Sequence, residues 1–310
     1  MINFQPLVLL DETVTEVILN EDTETVDATY MYLEPKDTNL NRSLSLGKNI
    51  RYSIREDSLR VKYPSSHEFP SFRTVDANDL IHETEIADDD RIPYILKVVN
   101  CPFYHPRDTD VIRKELENLE HFRGVRGLVQ SAGIAVFSNP YATSQEDNQH
   151  MVIKGILLKY YSGGSLQRIL EEQRVTGSDW GRWAVQIGNA LDTIHRAKKT
   201  HMDLKPSNIV LDRDGNAILI DISGIGGVTR KWLAPEIQDE PSLFDLPFQT
   251  RRLNDVWAYG KVLKEIASKI DEGASMKALN MVADHLTQDI PTRWTLSEAI
   301  SQLENRQNSD

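Results

Sequence analysis

From Met1 to Tyr63 short apolar runs alternate with polar residues: PLVLL, TVTEVIL, VDATYMYL, NIRYSI and LRVKY, separated by Asp, Asn, Ser and Gly. A period of two marks strands with one buried face, so this segment is predicted to be β-rich. YPSSHEFPS, spanning 63–71, reads as a linker or irregular edge. In IPYILKVVN a strand would place Ile95, Lys97 and Val99 on one face. The period then changes. In DTDVIRKELENLEHF, Ile112, Leu116 and Leu119 recur at helical spacing, and helical winding sets Glu115 on their side with Glu117 opposite. A carboxylate on an apolar face is costly unless paired, and Lys97 is the nearest upstream cation.

FSNPYATSQEDNQH reads as an exposed loop, followed by the apolar strand MVIKGILLKYY and by SGGSL opening a helix. Helical periodicity prevails from there on: DWGRWAVQIGNALDTIHRA sets Trp180, Trp183, Ile187, Leu191 and Ile194 on one stripe. Strands thus dominate the first half and helices the second. An interruption comes at IVL-DRDGN-AILI, where alternation around Asp-Gly predicts a hairpin.

Composition narrows the possibilities. The 310 residues, 40% hydrophobic and 26% charged, suit two or three domains, or one bilobal unit with an appendage. No apolar run approaches the ~20 residues of a membrane-spanning helix, so no membrane span is expected. A formal charge of −12 argues against nucleic acid as the main partner. The acidic residues between Asp11 and Asp27 read as a solvated face. The single cysteine, Cys101, cannot form an internal disulfide and is expected to be buried, and MINFQPLVLLDETVTEV lacks a basic region followed by an apolar core. An intracellular location, cytoplasmic or nuclear, is the expectation.

Candidate chemistry concentrates in THMDLKPSNIVLDRDGNAILIDIS, Thr200 to Ser223. Asp203 and Asn208, on a loop closed by Pro206, can present a carboxylate to an incoming hydroxyl and an amide oxygen to a metal. Lys205 between them can steady a phosphate, and the hairpin brings Asp221 back beside the loop. Each residue alone is also an ordinary turn former. The whole string resembles the catalytic loop and metal-binding segment of eukaryotic protein kinases, and the resemblance continues collinearly from about Phe72 to Asn305.

That resemblance implies an α+β, bilobal protein kinase-like fold with a β-rich N-lobe (72–157), an α-helical C-lobe (158–305), a tail at 306–310 and an additional β-rich N-terminal segment (1–71). It implies ATP and Mg²⁺ as cofactors, with a protein as substrate or binding partner. Lys97 resembles the strand lysine that contacts the α- and β-phosphates, and Glu115 its helix partner. Leu158 takes the gatekeeper position, and Lys159, Tyr160 and Tyr161 the hinge backbone that meets adenine. Asp203 is implied as catalytic base, Asn208 and Asp221 as Mg²⁺ ligands, and Lys205 points to the Ser/Thr kinases. VTRKWLAPE resembles the end of the activation segment, NDVWAYGKVL the helix whose Asp255 braces the catalytic loop, and Arg293 in DIPTRW the ion-pair partner of Glu236.

The departures carry their own expectations. IHETEIADDDRIP, which precedes Lys97, holds no glycine and several acidic residues, so weak nucleotide binding or catalysis with an open roof over the phosphates is expected. Met202 replaces the arginine that reads an activation-segment phosphate, making the chain a non-RD type, and Asp221 to Glu236 is short. A kinase without activation-loop phosphorylation control is expected, with Thr229 structural. Ile222-Ser223 replaces Phe-Gly, with Gly224 supplying flexibility. Only DEGAS separates KVLKEIASKI from MKALNMVADHL, which leaves no room for the helix that often docks protein substrates. Two other readings stay open: a pseudokinase serving as a nucleotide-binding or scaffold module, and a small-molecule kinase.

Overall fold

The computed structural model describes residues 61–81, 94–98, 104–139, 151–174 and 179–307. The β-rich segment expected before residue 61, the glycine-free stretch 82–93, Cys101 and most of the exposed loop (140–150) lie outside the described residues. Two lobes make up the fold: a β-rich small lobe and a helical large lobe, the α+β architecture that the resemblance implies.

The small-lobe sheet has the order β1 (Thr74–Asp76), β3 (Ser131–Ser138), β4 (Met151–Lys159), β2 (Tyr94–Val98). β1 runs parallel to β3, whereas β3–β4 and β2–β4 are antiparallel. A short helix, α1 (Ala77–Ile81), follows β1. Helix α2 (Pro106–His121) starts at His105, whose ring accepts from Arg107 N–H while Asp108 returns a bond to the His105 amide, and Pro106 occupies the first turn. Ile112, Leu116 and Leu119 of α2 enter the same core as Ile134, Ile153 and Ile156 of the sheet. Burying each such side chain stabilises by about 1.5–3 kcal/mol, and this packing carries Glu115 inward with them.

Of the two readings of YPSSHEFPS, linker or irregular edge, the structure has the second: it is part of a strap, residues 61–73, laid across α2 and the sheet. Its Phe69 and Phe72 are buried because they belong to the core, as does Val61. Pro64 O and Arg73 O accept from Ile153 and Ile134 N–H (both 2.8 Å), and Ser66 Oγ donates to Met151 O (2.8 Å). Toward α2, Arg113 pairs with Glu68 (2.9 Å), and Arg123, just past the helix, donates to Ser71 O and lies over the Phe72 ring. Proline and serine signalled the irregular backbone correctly; the two phenylalanines decide where it sits.

The large lobe is built on α4 (Asp179–Arg196), α5 (Phe248–Ala267), α6 (Ala274–Leu286) and α7 (Leu296–Gln307), after the short β5 (Gly164–Ser165) and α3 (Leu166–Glu171). Trp183, Ile187, Leu191 and Ile194 of α4 are buried, as their stripe predicts, and Trp180 is half-buried against them. Tyr259 of α5 donates its hydroxyl to Ala184 O (2.7 Å), locking α5 to α4. A Cβ on Gly188 would come within 3.0 Å of that hydroxyl, so the close crossing requires glycine. The connection 268–273 between α5 and α6 contains no helix, in keeping with the short DEGAS spacing. The predicted hairpin forms as β6 (Ile209–Leu211) and β7 (Ala217–Leu219), with β5 added at its edge. Among the described residues no helix is long and apolar enough to cross a membrane.

Candidate functional site

The β6–β7 hairpin brings two loops together. Asn208 ends a 3-10 turn, Pro206–Asn208, and its carbonyl accepts from Ile220 N–H (3.0 Å), tying the loop before β6 to the segment after β7. His201 reinforces the join through a 3.0 Å bond to Ile220 O. Asp221 then takes φ +59° and Met202 φ +67°, left-handed conformations that cost ordinary residues about 1–2 kcal/mol each. Such strain persists where surrounding structure over-determines it.

For Met202 the determinant is Asp255 on α5. Fully buried, it accepts from His201 N–H and Met202 N–H at 2.8 Å each, while His195 Nε2 lies 2.9 Å away. The Met202 side chain packs with Leu233, Ala234 and Ile237 into a separate apolar cluster, flanked by Phe244 and Trp257. Where a phosphate-reading arginine would need a charged partner, this chain has hydrocarbon. Arg293, almost fully buried, forms the expected bidentate pair with Glu236 (2.6 and 3.2 Å) and also donates to Leu253 O.

Around Asp203 the polar contacts are dense. Its Oδ2 accepts from Lys205 Nζ (2.6 Å) and Asn208 Nδ2 (3.1 Å), and its Oδ1 from Thr229 N–H (2.9 Å). Lys205 also donates to Thr229 Oγ1 (2.7 Å). Thr229 thus touches both Asp203 and Lys205, a role that its sequence position did not reveal. A cavity of about 410 Å³ opens beside Lys205 and Thr229, walled by Gln167, Leu170, Glu171 and Trp232.

Lys97 joins the lobes. Its ammonium bonds to Glu115 Oε2 of α2 and to Asp221 Oδ1 (2.6 Å) of the large lobe. Burial by itself would depress the Lys97 pKa, but the two carboxylates outweigh it and hold the ammonium above its usual range. Burial also opposes ionisation of Asp221, yet Lys97 prevails and its pKa falls. For Glu115, fully enclosed and with Oε1 lacking a partner, burial wins and the pKa rises. One cation shared by two carboxylates leaves the deeper of them harder to ionise.

Leu158 is buried at the end of β4, and Lys159 closes the strand by donating its N–H to Gln130 O (2.9 Å). Tyr160 and Tyr161 lie beyond the strand's end, Tyr160 exposed and the Tyr161 hydroxyl accepting from Gln130 N–H (3.2 Å). Ile222 is buried in the main core, and Gly224 (φ +72°) passes so close to Thr200 O that a Cβ would stand 2.4 Å from it.

Sequence reasoning missed Asn118. It lies three residues beyond Glu115 on the same buried face, and its Nδ2 donates to Ile222 O (2.6 Å). A polar side chain on an apolar stripe was the available signal.

The protein kinase domain model matches residues 84–303, and the chain belongs to that family. It is 33% identical over 146 residues to the serine/threonine-protein kinase Nek6 of Oryza sativa subsp. japonica, covering 43% of this chain and 26% of that protein. Serine/threonine-protein kinase Nek1 of Mus musculus is 27% identical over 243 residues, 70% of this chain and 18% of its own length. Serine/threonine-protein kinase nekl-2 of Caenorhabditis elegans is 25% identical over 169 residues, 44% of this chain and 45% of its own. The chain spans less than half the length of each of these relatives.

Proposed function

We propose that the chain is a protein kinase that transfers the γ-phosphoryl group of ATP to Ser or Thr hydroxyls without activation-loop phosphorylation. The observation that carries this is the double pairing of Lys97 with Glu115 and Asp221, together with an intact Asp203, Lys205 and Asn208. In this reading residues 72–157 form the nucleotide-covering lobe and 158–305 the substrate lobe. Leu158 lines the adenine site, and the backbone of Lys159 to Tyr161 meets the base.

The donor set fits Mg²⁺. Asn208 spends its amide nitrogen on Asp203, which leaves the amide oxygen for a cation, and Asp221 has a carboxylate oxygen besides the one on Lys97. Among the described residues no cluster of three or more His, Cys, Asp or Glu could hold a metal by itself. Two oxygen donors that need substrate phosphates to complete the shell are the usual arrangement for Mg²⁺, which would supply neutralisation of phosphate charge.

The chain's own groups do the rest. Lys97 binds phosphate oxygens. Asp203, its carboxylate plane fixed by Thr229 and Lys205, accepts the proton of the substrate hydroxyl as the new O–P bond forms and the bond to ADP breaks. Lys205 offsets charge on the transferred group. Control without phosphate is supported by Met202, buried among Leu233, Ala234 and Ile237 where a phosphate reader would stand.

Labelled ATP with Mg²⁺ and a generic protein substrate, beside an Asp203→Asn control, tests the reading: turnover lost in the control is the expected result. The acidic, glycine-free 81–93 stretch favours a second reading, a pseudokinase scaffold. No turnover, together with ATP-dependent thermal stabilisation that requires Asp221, would support it. Label passing only to small metabolites would favour a small-molecule kinase.

A further inference from the structure

We propose that Asn118 is a positioning residue for Asp221, a direct hydrogen-bonded tether between helix α2 and the metal-binding segment; the proposal rests on the reading of Asp221 as a Mg²⁺ ligand. Four observations converge on it. Asn118 is 2% exposed on the apolar face of α2, an expensive place for an amide unless it has work there. Its Nδ2 donates to Ile222 O at 2.6 Å and reaches toward Ser223 O at 3.4 Å, so it grips the carbonyls of the two residues that follow Asp221. Asp221 is in the left-handed conformation, φ +59°, and needs neighbours that hold it there. Asn118 Oδ1 has no partner, so packing alone would be better served by a leucine at this site.

The rest of the segment is anchored locally. Ser223 Oγ accepts from Gly226 N–H (2.9 Å), making a small turn that meets α2 only by apolar contact, where a Cβ on Gly226 would stand 3.1 Å from Val111, and the buried Ile222 side chain fixes depth but not rotation. The carbonyl that Asn118 holds belongs to the Ile222–Ser223 peptide, one unit beyond Asp221, and fixing that peptide limits how far the backbone that aims the Asp221 carboxylate can turn. The helix therefore holds Asp221 twice: through Lys97 by charge, and through Asn118 by a bond to the next carbonyl. The first tether depends on ionisation; the second does not.

The test uses the full chain with Asn118→Leu, which keeps the volume and removes the donor, Asn118→Gln, which keeps an amide, and Asn118→Ser, which lacks the reach. Hydrogen exchange without nucleotide is read over residues 222–227. Asn118→Leu and Asn118→Ser are expected to exchange about tenfold faster there, the equivalent of one buried hydrogen bond, with α2 unchanged, and Asn118→Gln to be intermediate. The Mg²⁺ concentration for half-maximal stabilisation by ATP is expected to rise about tenfold in the Leu and Ser variants, while ATP binding without Mg²⁺ stays constant. Unchanged exchange in 222–227 in whichever of these variants folds overturns the tether. Faster exchange with an unchanged Mg²⁺ requirement overturns its positioning role. If the unsubstituted chain shows no Mg²⁺-dependent ATP stabilisation, the metal-site reading has failed and with it the positioning role, while the exchange result still decides the tether.

Discussion

The Arg107 guanidinium, at the start of α2, lies 4.1 Å from the centroid of the Phe244 ring in the large lobe. Phe244 in turn packs on the cluster that contains Met202. A contact path therefore runs from the Met202 loop, through hydrocarbon, to the helix that carries Glu115. Cation–π contacts of this kind are worth about 0.5–1 kcal/mol when partly exposed. Arg107→Ala is expected to lower kcat/KM about two- to fivefold by loosening α2. Phosphatase treatment of the unsubstituted chain should leave its rate unchanged. Kinetics on both preparations check the pair of outcomes.

Thr229 offers a sharper test of control. Its hydroxyl accepts from Lys205 and its amide holds Asp203. A carboxylate placed there would face Asp203 and compete for Lys205, so Thr229→Glu is expected to lower kcat by roughly ten- to a hundredfold rather than activate. Activation by the acidic variant would show that Thr229 is a regulatory phosphosite.

Lys97 separates charge pairing from packing. Lys97→Met strands Glu115, which is fully enclosed, and should cost about 3–5 kcal/mol in urea unfolding. Adding Glu115→Leu to that variant should restore most of the loss, since removing both members leaves no buried charge. The double variant should remain inactive, which separates the fold from the phosphate contact.

At the alkaline end the sign follows from Tyr259. Complete burial raises its pKa far above that of a free phenol. The folded state stays neutral while the unfolded chain ionises near pH ~10, so this group's stability contribution is full below that pH and is lost as pH rises beyond it. Tyr259→Phe should lose about 1 kcal/mol at neutral pH with the bond to Ala184 O. Its stability should also fall less steeply above pH ~10, by about 1.4 kcal/mol per pH unit. Denaturant titrations at pH 8 to 11 measure both.

Much of the site was legible because its residues belong to regular elements. The helical period of α2 placed Glu115 inside and named Lys97 as its partner; the Asp-Gly turn foretold the β6–β7 hairpin that returns Asp221 to Asp203. Arg293 and Glu236 were legible only through family resemblance, since nothing local announces a pair 57 residues apart. The contacts of Thr229, Phe244 and Asn118 were hidden for a common reason. Each depends on where an irregular segment crosses an element distant in sequence, and periodicity carries no information about crossings. The parallel β1–β3 pairing was hidden likewise.

The strap also bears on where this molecule can be cut. The family match begins at residue 84, but Val61, Phe69 and Phe72 lie well upstream and are already part of the interior. A fragment trimmed to the family boundary would leave α2 bare along the side where Arg113 meets Glu68, and the sheet bare where Ile153 meets Pro64. Any shortened version meant for crystallisation or screening should therefore retain residue 61 onward, and a protease that nicks the chain between 61 and 73 would loosen the small lobe without touching the Lys97–Glu115 pair.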